Sequence, residues 1–324
     1  MHAIQISETG GPEVLRYVNA QQPAPGPGEI LIKAEAIGVN FIDTYFRSGQ
    51  YPRELPFILG SELAGTVAAL GEGVEGFSVG DRVASAAAVG GYAEFATAPA
   101  FLTAHVPDGV TSEVAASVLL KGLTAHYLIK SVYPVKAGDA VLVHAGAGGV
   151  GLILTQWAHR LGVRVISTVS TPEKERLSRQ AGADEVLSYP DDATTFGREI
   201  RSLTGGVGVA AVYDGVGATT FDASLASLAI RGTLALFGAA SGPVPPFDPQ
   251  RLNAAGSVFL TRPSLAHFIR TGDEFSWRAG ELFDAIVGGE IRVEVGGQYP
   301  LADATRAHQD LHERKTAGSI VLLP

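Results

Sequence analysis

Apolar and polar residues alternate with period two through much of the first 110 residues, in segments such as HAIQI, EILIKAEAIGV, LAGTVAAL and DRVASAA, which glycine and proline interrupt. In the second segment Ile30, Ile32, Ala34 and Ala36 fall on one face and Leu31, Lys33 and Glu35 on the other, the mark of a half-buried strand. An antiparallel β-domain is predicted. At Thr111 the pattern changes, because TSEVAASVLL sets Val114, Ala115, Val118 and Leu119 at helical spacing behind an N-cap residue. Between residues 139 and 260 strand-like and helix-like segments alternate: AVLVHA before 149–161, VRVIST before 172–181, EVLSY before 195–203, VAAVYD before 220–230, TLALFG before 247–254, and finally SVFLT. Such alternation predicts an α/β unit, a doubly wound parallel sheet with helices on both faces. Thr171 before Pro172 starts one of these helices well, and Gly182 ends it. Helices over 273–287 and 301–315 and the strand SIVLLP close the chain. The predicted division is 1–122 for the β-domain, 123–262 for the α/β domain and 263–324 for a return to the first.

Composition narrows the chemistry. At 324 residues the chain exceeds what one core serves, and 46% hydrophobic with 18% charged residues fits a packed globular protein. The formal charge of −9, with no run of Lys and Arg, disfavours nucleic acid and anionic membranes as partners. There is no cysteine, which removes disulfides, thiolate metal sites and thiol nucleophiles together. No leader-like N-terminus and no membrane-length apolar run are seen, so a cytoplasmic protein is expected.

Two stretches match G-x-G-x-x-G. In GEGVEG, Gly71, Gly73 and Gly76 accompany two glutamates between β-like segments, which makes a plain turn. In VLVHAGAGGVGLILTQWAHRLG, Gly146, Gly148 and Gly151 follow a buried-type strand and open an amphipathic helix. Here the first glycine permits a tight turn, the second lets backbone approach a pyrophosphate, and the third permits close helix–strand packing. A site preferring NAD ends its next strand with Asp or Glu. This chain has Thr168, Val169 and Ser170 there, followed by Lys174, so hydroxyls and an ammonium face a 2′-phosphate and NADPH is the expected cofactor. RAHQDLH sets His308 and His312 four apart, but the intervening residues do not make a metalloprotease motif, and a solvated helix face is expected. No G-x-S-x-G and no Tyr-x-x-x-Lys are found. The stretch AIGVNFIDTY remains open: Asn40, Asp43 and Tyr45 either floor a catalytic site or serve as turn residues.

Taken in order, GGPEVL, IGVNFIDTYFRSGQYP, LGSELAG, VGDRVA, LLKGLTAHYL, HAGAGGVG, TVSTPEK, VYDGVG, LTRPSL and AGSIVLLP resemble the zinc-independent NADPH:quinone oxidoreductase branch of the medium-chain dehydrogenase/reductase superfamily, which includes zeta-crystallin. The resemblance spans the whole chain and implies a GroES-like β catalytic domain with a Rossmann cofactor domain. It also implies that Asn40 and Ser61 stand where zinc-dependent relatives carry Cys and His, so no metal is expected.

By the same resemblance Gly148, Gly149 and Val150 approach the pyrophosphate, and Ser170, Lys174, Tyr189 and Arg314 surround the 2′-phosphate and adenosine. Asn40 and Thr124 hold the nicotinamide and its ribose, Phe237 and Ala239 line its path, and Asp43, Tyr45 and Tyr51 face the substrate. A reduced nicotinamide needs only a positioned acceptor, and a quinone accepts hydride without a strong acid. NADPH-dependent reduction of small quinones is therefore expected. The alternatives are an enoyl or alkenal reductase, with Tyr51 as proton donor, or a non-catalytic NADPH-binding protein of crystallin type. A homodimer is expected through the strand near SVFLT.

Overall fold

The computed structural model describes residues 1–324. The chain divides into two compact units, residues 1–123 with 269–324, and residues 124–268.

In the first unit β1 (His2–Ile6) pairs antiparallel with β2 (Arg16–Asn19), while β3 (Glu29–Val39) is the spine of a second sheet. Lys33 and Glu35 are exposed and Ile32, Ala34 and Ala36 buried, as the period-two pleat demands. Leu31, on the face of Lys33 and Glu35, is buried too, because both ends of β3 are covered on both faces. Directly after β3 comes α1 (Phe41–Ser48), closed by Gly49 at φ 78°. There follow β4 (Phe57–Ile58), which joins β1, then β5 (Glu62–Leu70), β6 (Arg82–Ser85), β7 (Phe95–Pro99), β8 (Thr103–His105) and α2 (Ser112–Tyr127). Antiparallel pairing links β7 and β5 to β3, and β6 and β8 continue from β5. The segment GEGVEG is a turn between β5 and β6, with Gly73 and Gly76 at φ 76° and 81°.

The second unit runs β9 (Ala140–His144), α3 (Gly149–Arg160), β10 (Arg164–Val169), α4 (Pro172–Gln180), β11 (Glu185–Ser188), α5 (Ala193–Leu203), β12 (Val209–Asp214), α6 (Phe221–Ser227), β13 (Leu228–Leu236), α7 (Gln250–Ala254) and β14 (Phe259–Thr261). All strand pairs are parallel, in the order β11-β10-β9-β12-β13-β14, the doubly wound arrangement. Leu142, Ile166, Val212 and Leu234 of adjacent strands are fully buried in its core, each contributing about 1.5–3 kcal/mol by leaving water. The helix expected over 220–230 stops at Ser227. Leu228 already pairs with Val209, and Arg231 turns the chain at φ 61°, which an apolar pattern cannot foretell.

The chain returns to the first unit through α8 (Gly272–Val287), β15 (Val295–Pro300), α9 (Ala304–His312) and β16 (Ser319–Leu323). β16 lies antiparallel to β3, whereas β15, unforeseen in the sequence, pairs parallel with β16. α9 is shorter than the expected 301–315, since a 3-10 turn precedes it and Arg314 at φ 57° follows.

Candidate active site and nucleotide cradle

In the first unit the segment after β3 is a helix start. Asn40 is the N-cap of α1 in a capping box with Asp43, whose Oδ2 accepts from the Asn40 backbone N–H at 2.8 Å. Asp43, expected to face a substrate, is instead 1% exposed and turned into the core. The reason is the polar chain behind it. Arg47 Nη1 donates to His308 Nδ1 at 2.9 Å, so the imidazole carries its proton on Nε2 and donates to Tyr92 Oη at 3.0 Å, and Tyr92 donates to Asp43 Oδ2 at 2.9 Å. His308 is therefore fully buried, a correction to the solvated helix face expected for the His308/His312 pair; only His312 is exposed. Desolvation, reinforced by Arg47, lowers the His308 pKa to about 3, and desolvation raises that of Asp43 to about 7 despite its two donors. Burial also raises the Tyr92 phenol, so it remains a donor.

The Asn40 side chain reaches the other way. Its Nδ2 donates to Glu62 Oε2 at 2.7 Å; Glu62 also accepts from Leu120 N–H at 2.7 Å and pairs with Lys121 Nζ at 3.4 Å. Gly38 makes room for this carboxylate, because a Cβ there would overlap Glu62 Oε2 and the Ala116 carbonyl. Glu62 and Lys121 were not singled out from the sequence. A signal existed: Glu62 is the lone acid of an apolar strand and Lys121 the lone Lys or Arg of the apolar α2. Tyr45 is buried and packs its ring at 5.3 Å from that of Tyr51, which is half-exposed and also edges Phe46. Arg314 lies exposed after α9, at φ 57°.

In the second unit β9 leads through Ala145, at φ 56°, into the N-terminus of α3. A Cβ on Gly146 would come within 2.6 Å of Ser167 Cβ and 2.9 Å of Ser178 Oγ, and one on Gly151 would overlap the Ala145 carbonyl oxygen. Both glycines are buried packing positions. Gly148, by contrast, has only Ala145 beside it, at 3.2 Å, and Gly148, Gly149 and Val150 are half-exposed at the helix start, where backbone N–H groups lack partners within the helix. That arrangement fits a pyrophosphate.

At the end of β10, Thr168 Oγ1 bonds His144 Nδ1 at 2.8 Å, Ser170 is exposed, and Thr171 caps α4 through Lys174 N–H. Lys174 is flanked by Glu173 and Glu175, and Glu175 is itself paired with Arg179 at 2.9 Å. Tyr189 stacks toward His144 with ring centroids 6.4 Å apart.

At the carboxyl end of β12 the buried Asp214 accepts from Val216 N–H, Gly217 N–H, Thr220 Oγ1 and Ser224 Oγ at 2.7–3.0 Å. It thereby fixes the loop against which residues 237–242 lie: Gly217 approaches Ala239, Gly215 approaches the Phe237 ring, and Ser241 N–H bonds the Val216 carbonyl at 2.8 Å. Phe237 is half-exposed and Ala239 buried; Thr124, at the other end of the unit's sequence, is buried as well.

Residues 26–108 match the alcohol dehydrogenase GroES-like domain family and residues 149–284 the zinc-binding dehydrogenase family. A mycobacterial protein solved in complex with NADPH is 77% identical and superposes with a TM-score of 0.99 over 100% of both chains. A quinone oxidoreductase of Pseudomonas aeruginosa is 47% identical over 99% of each chain. A 2-haloacrylate reductase of a Burkholderia species is 39% identical over 99% of this chain and 98% of its own. The chain belongs to the quinone oxidoreductase family of the medium-chain dehydrogenase/reductase superfamily.

Proposed function

We propose that the protein is an NADPH-dependent quinone oxidoreductase that works without a metal. The observation that carries this is the cradle of the second unit. Gly146 and Gly151 close it, Gly148 leaves it open, and the neighbouring strand β10 is followed by the exposed Ser170 and, in the first turn of α4, by Lys174, where a carboxylate would reject a 2′-phosphate. The kinship with the mycobacterial protein solved with NADPH supports the same cofactor. When bound, the reduced nicotinamide supplies the hydride. The chain's own residues need only hold it and orient an acceptor: Gly148 to Val150 at the pyrophosphate, Ser170, Lys174, Tyr189 and Arg314 at the 2′-phosphate and adenosine, Phe237, Ala239, Thr124 and Asn40 along the nicotinamide, Tyr45 and Tyr51 at the substrate. The donor set at positions 40, 61 and 62 is an amide, a hydroxyl and a carboxylate already holding three donors, which suits a metal-free site. Expected are quinone-dependent loss of nicotinamide absorbance and a Kd for NADPH at least about tenfold below that for NADH, the margin shrinking in Lys174→Ala. A quinone panel with no turnover, or equal Kd values for the two cofactors, refutes the proposal.

A second reading, reduction of activated alkenes, is favoured by the relative named 2-haloacrylate reductase. The half-exposed Tyr51 is the group that could deliver the proton. On that reading Tyr51→Phe abolishes alkene reduction while quinone turnover persists; loss of both or neither excludes Tyr51 as the acid.

We also infer a cytoplasmic homodimer. β14 is an edge strand of its sheet and carries Phe259 at 61% exposure, a feature that pairing with a second copy would cover. The lack of cysteine suits a reducing compartment.

A further inference from the structure

A groove of about 690 Å³ crosses the first unit between the turn 73–77, the segment 100–107 and α8. That volume suits a small molecule. Val74, Phe77 and Phe101 stand along it and the buried Phe275 and Phe283 of α8 floor it. His105 stacks on the Phe77 ring with centroids 4.7 Å apart, and its Nε2–H donates to the Gly76 carbonyl at 3.0 Å. The walls are thus largely aromatic. Two carboxylates also line the groove, Glu75 from the turn and Asp284 from α8; both are exposed, neither is taken up by a hydrogen bond or an ion pair, and no Lys or Arg accompanies them. None of the residues assigned above to the cofactor or the acceptor lines it.

Glycine at position 280 has no reason inside the chain. It lies well within α8, where glycine is a poor helix former, and a Cβ added there would meet nothing within 4 Å. Gly122 in α2 and Gly197 in α5 differ, because a Cβ on either would strike Leu282 or Ala226, at 2.4 and 2.8 Å. Those two glycines serve packing, whereas Gly280 serves only to widen the groove.

We propose that this groove binds a hydrophobic amine, a protonated nitrogen on an aromatic or bulky apolar body. The body would cover Phe101, an aromatic ring 53% exposed to water, and fill the space that Gly280 leaves. The ammonium would meet ring faces and two unpaired carboxylates, so that cation–π and Coulomb attraction act together. A neutral molecule of the same shape lacks both, and an anion meets like charge.

The test is calorimetric titration of the full chain with diphenylpropylamine, protonated at neutral pH, and with diphenylpropanol, the neutral alcohol of the same skeleton. The amine should bind at least about tenfold tighter, a margin that shrinks at high salt. In the double variant Glu75→Gln, Asp284→Asn the amine should bind no better than the alcohol. Gly280→Trp fills the groove from an exposed helix position and should weaken both ligands at least about tenfold, with circular dichroism reporting an intact fold. Equal affinity of amine and alcohol for the wild type overturns the proposal and needs no variant. Undiminished binding to a folded Gly280→Trp also overturns it, since the amine then sits elsewhere. So does a wild type that sediments as a larger species than Gly280→Trp, because the groove would then hold a second copy of the chain.

Discussion

Gly151→Ala should lose NADPH binding by at least about a hundredfold, near 2.7 kcal/mol, in direct titration. The added methyl would overlap the Ala145 carbonyl oxygen and lie 3.0 Å from both backbone carbons of Gly146. All three neighbours are main chain, so no side-chain rotation relieves the clash, and the start of α3 must lift from the loop that precedes it. Overpacking of this kind also costs about 1–3 kcal/mol of stability. The N–H groups meant for a pyrophosphate move with the helix, and displacement of an ångström in such a cradle is costly. Gly148→Ala makes the contrast, because its methyl meets only Ala145 at 3.2 Å inside the protein and otherwise enters the open space. Its thermal stability should stay near that of the wild type while binding falls. Wild-type affinity in Gly151→Ala would show that the cradle does not depend on this packing.

Asp43→Asn should change how stability depends on pH. Burial raises the Asp43 pKa from 3.8 to about 7, so the folded protein holds a proton that the unfolded chain releases between those values. The stabilisation is complete below pH 3.8 and is lost as pH rises through 7. His308 acts in the opposite sense: lowered from 6.5 to about 3, it contributes stability above 6.5 that disappears as pH falls toward 3. Between pH 4 and 6.5 the two slopes oppose each other. Lys121 and Glu62 also face Asp43, with opposite effects on its charge, and Arg47 faces His308. Both hydrogen bonds of Asp43 fall on Oδ2, so an asparagine can present its oxygen to Asn40 N–H and Tyr92 and keep them. The variant should therefore gain on the wild type as pH rises from 4 to 8, by something on the order of 4 kcal/mol, and show the His308 slope unopposed. Chemical denaturation at several pH values measures it. A difference between variant and wild type that is constant from pH 4 to pH 8 would mean that Asp43 does not titrate in this range.

The doubly wound sheet and the nucleotide loop were legible because they are local: a buried-type strand, three glycines and an amphipathic helix within 22 residues state their own geometry. What was not legible depends on pairing across the chain. β15 has too many glycines to signal a strand, and it becomes one only because β16 offers it an edge. Asp43 was placed toward a substrate since nothing near it in sequence announces Tyr92 and His308, 49 and 265 residues further on. His308 was misread although its helix carried the warning. Ala304, Ala307, His308 and Leu311 recur at the spacing of a buried face, and that period outweighed the polarity of the imidazole. Glu62 and Lys121 were overlooked for the converse reason, as single charges within apolar segments that find each other only when β5 and α2 meet.

The carboxylate of Asp214 has every lone pair engaged by its own turn, and that turn in turn sets the course of residues 237–242. Such a surface is finished when the chain has folded. Its conformational entropy is surrendered then, not at the moment of encounter, so an arriving nucleotide has a shape to recognise instead of one to induce.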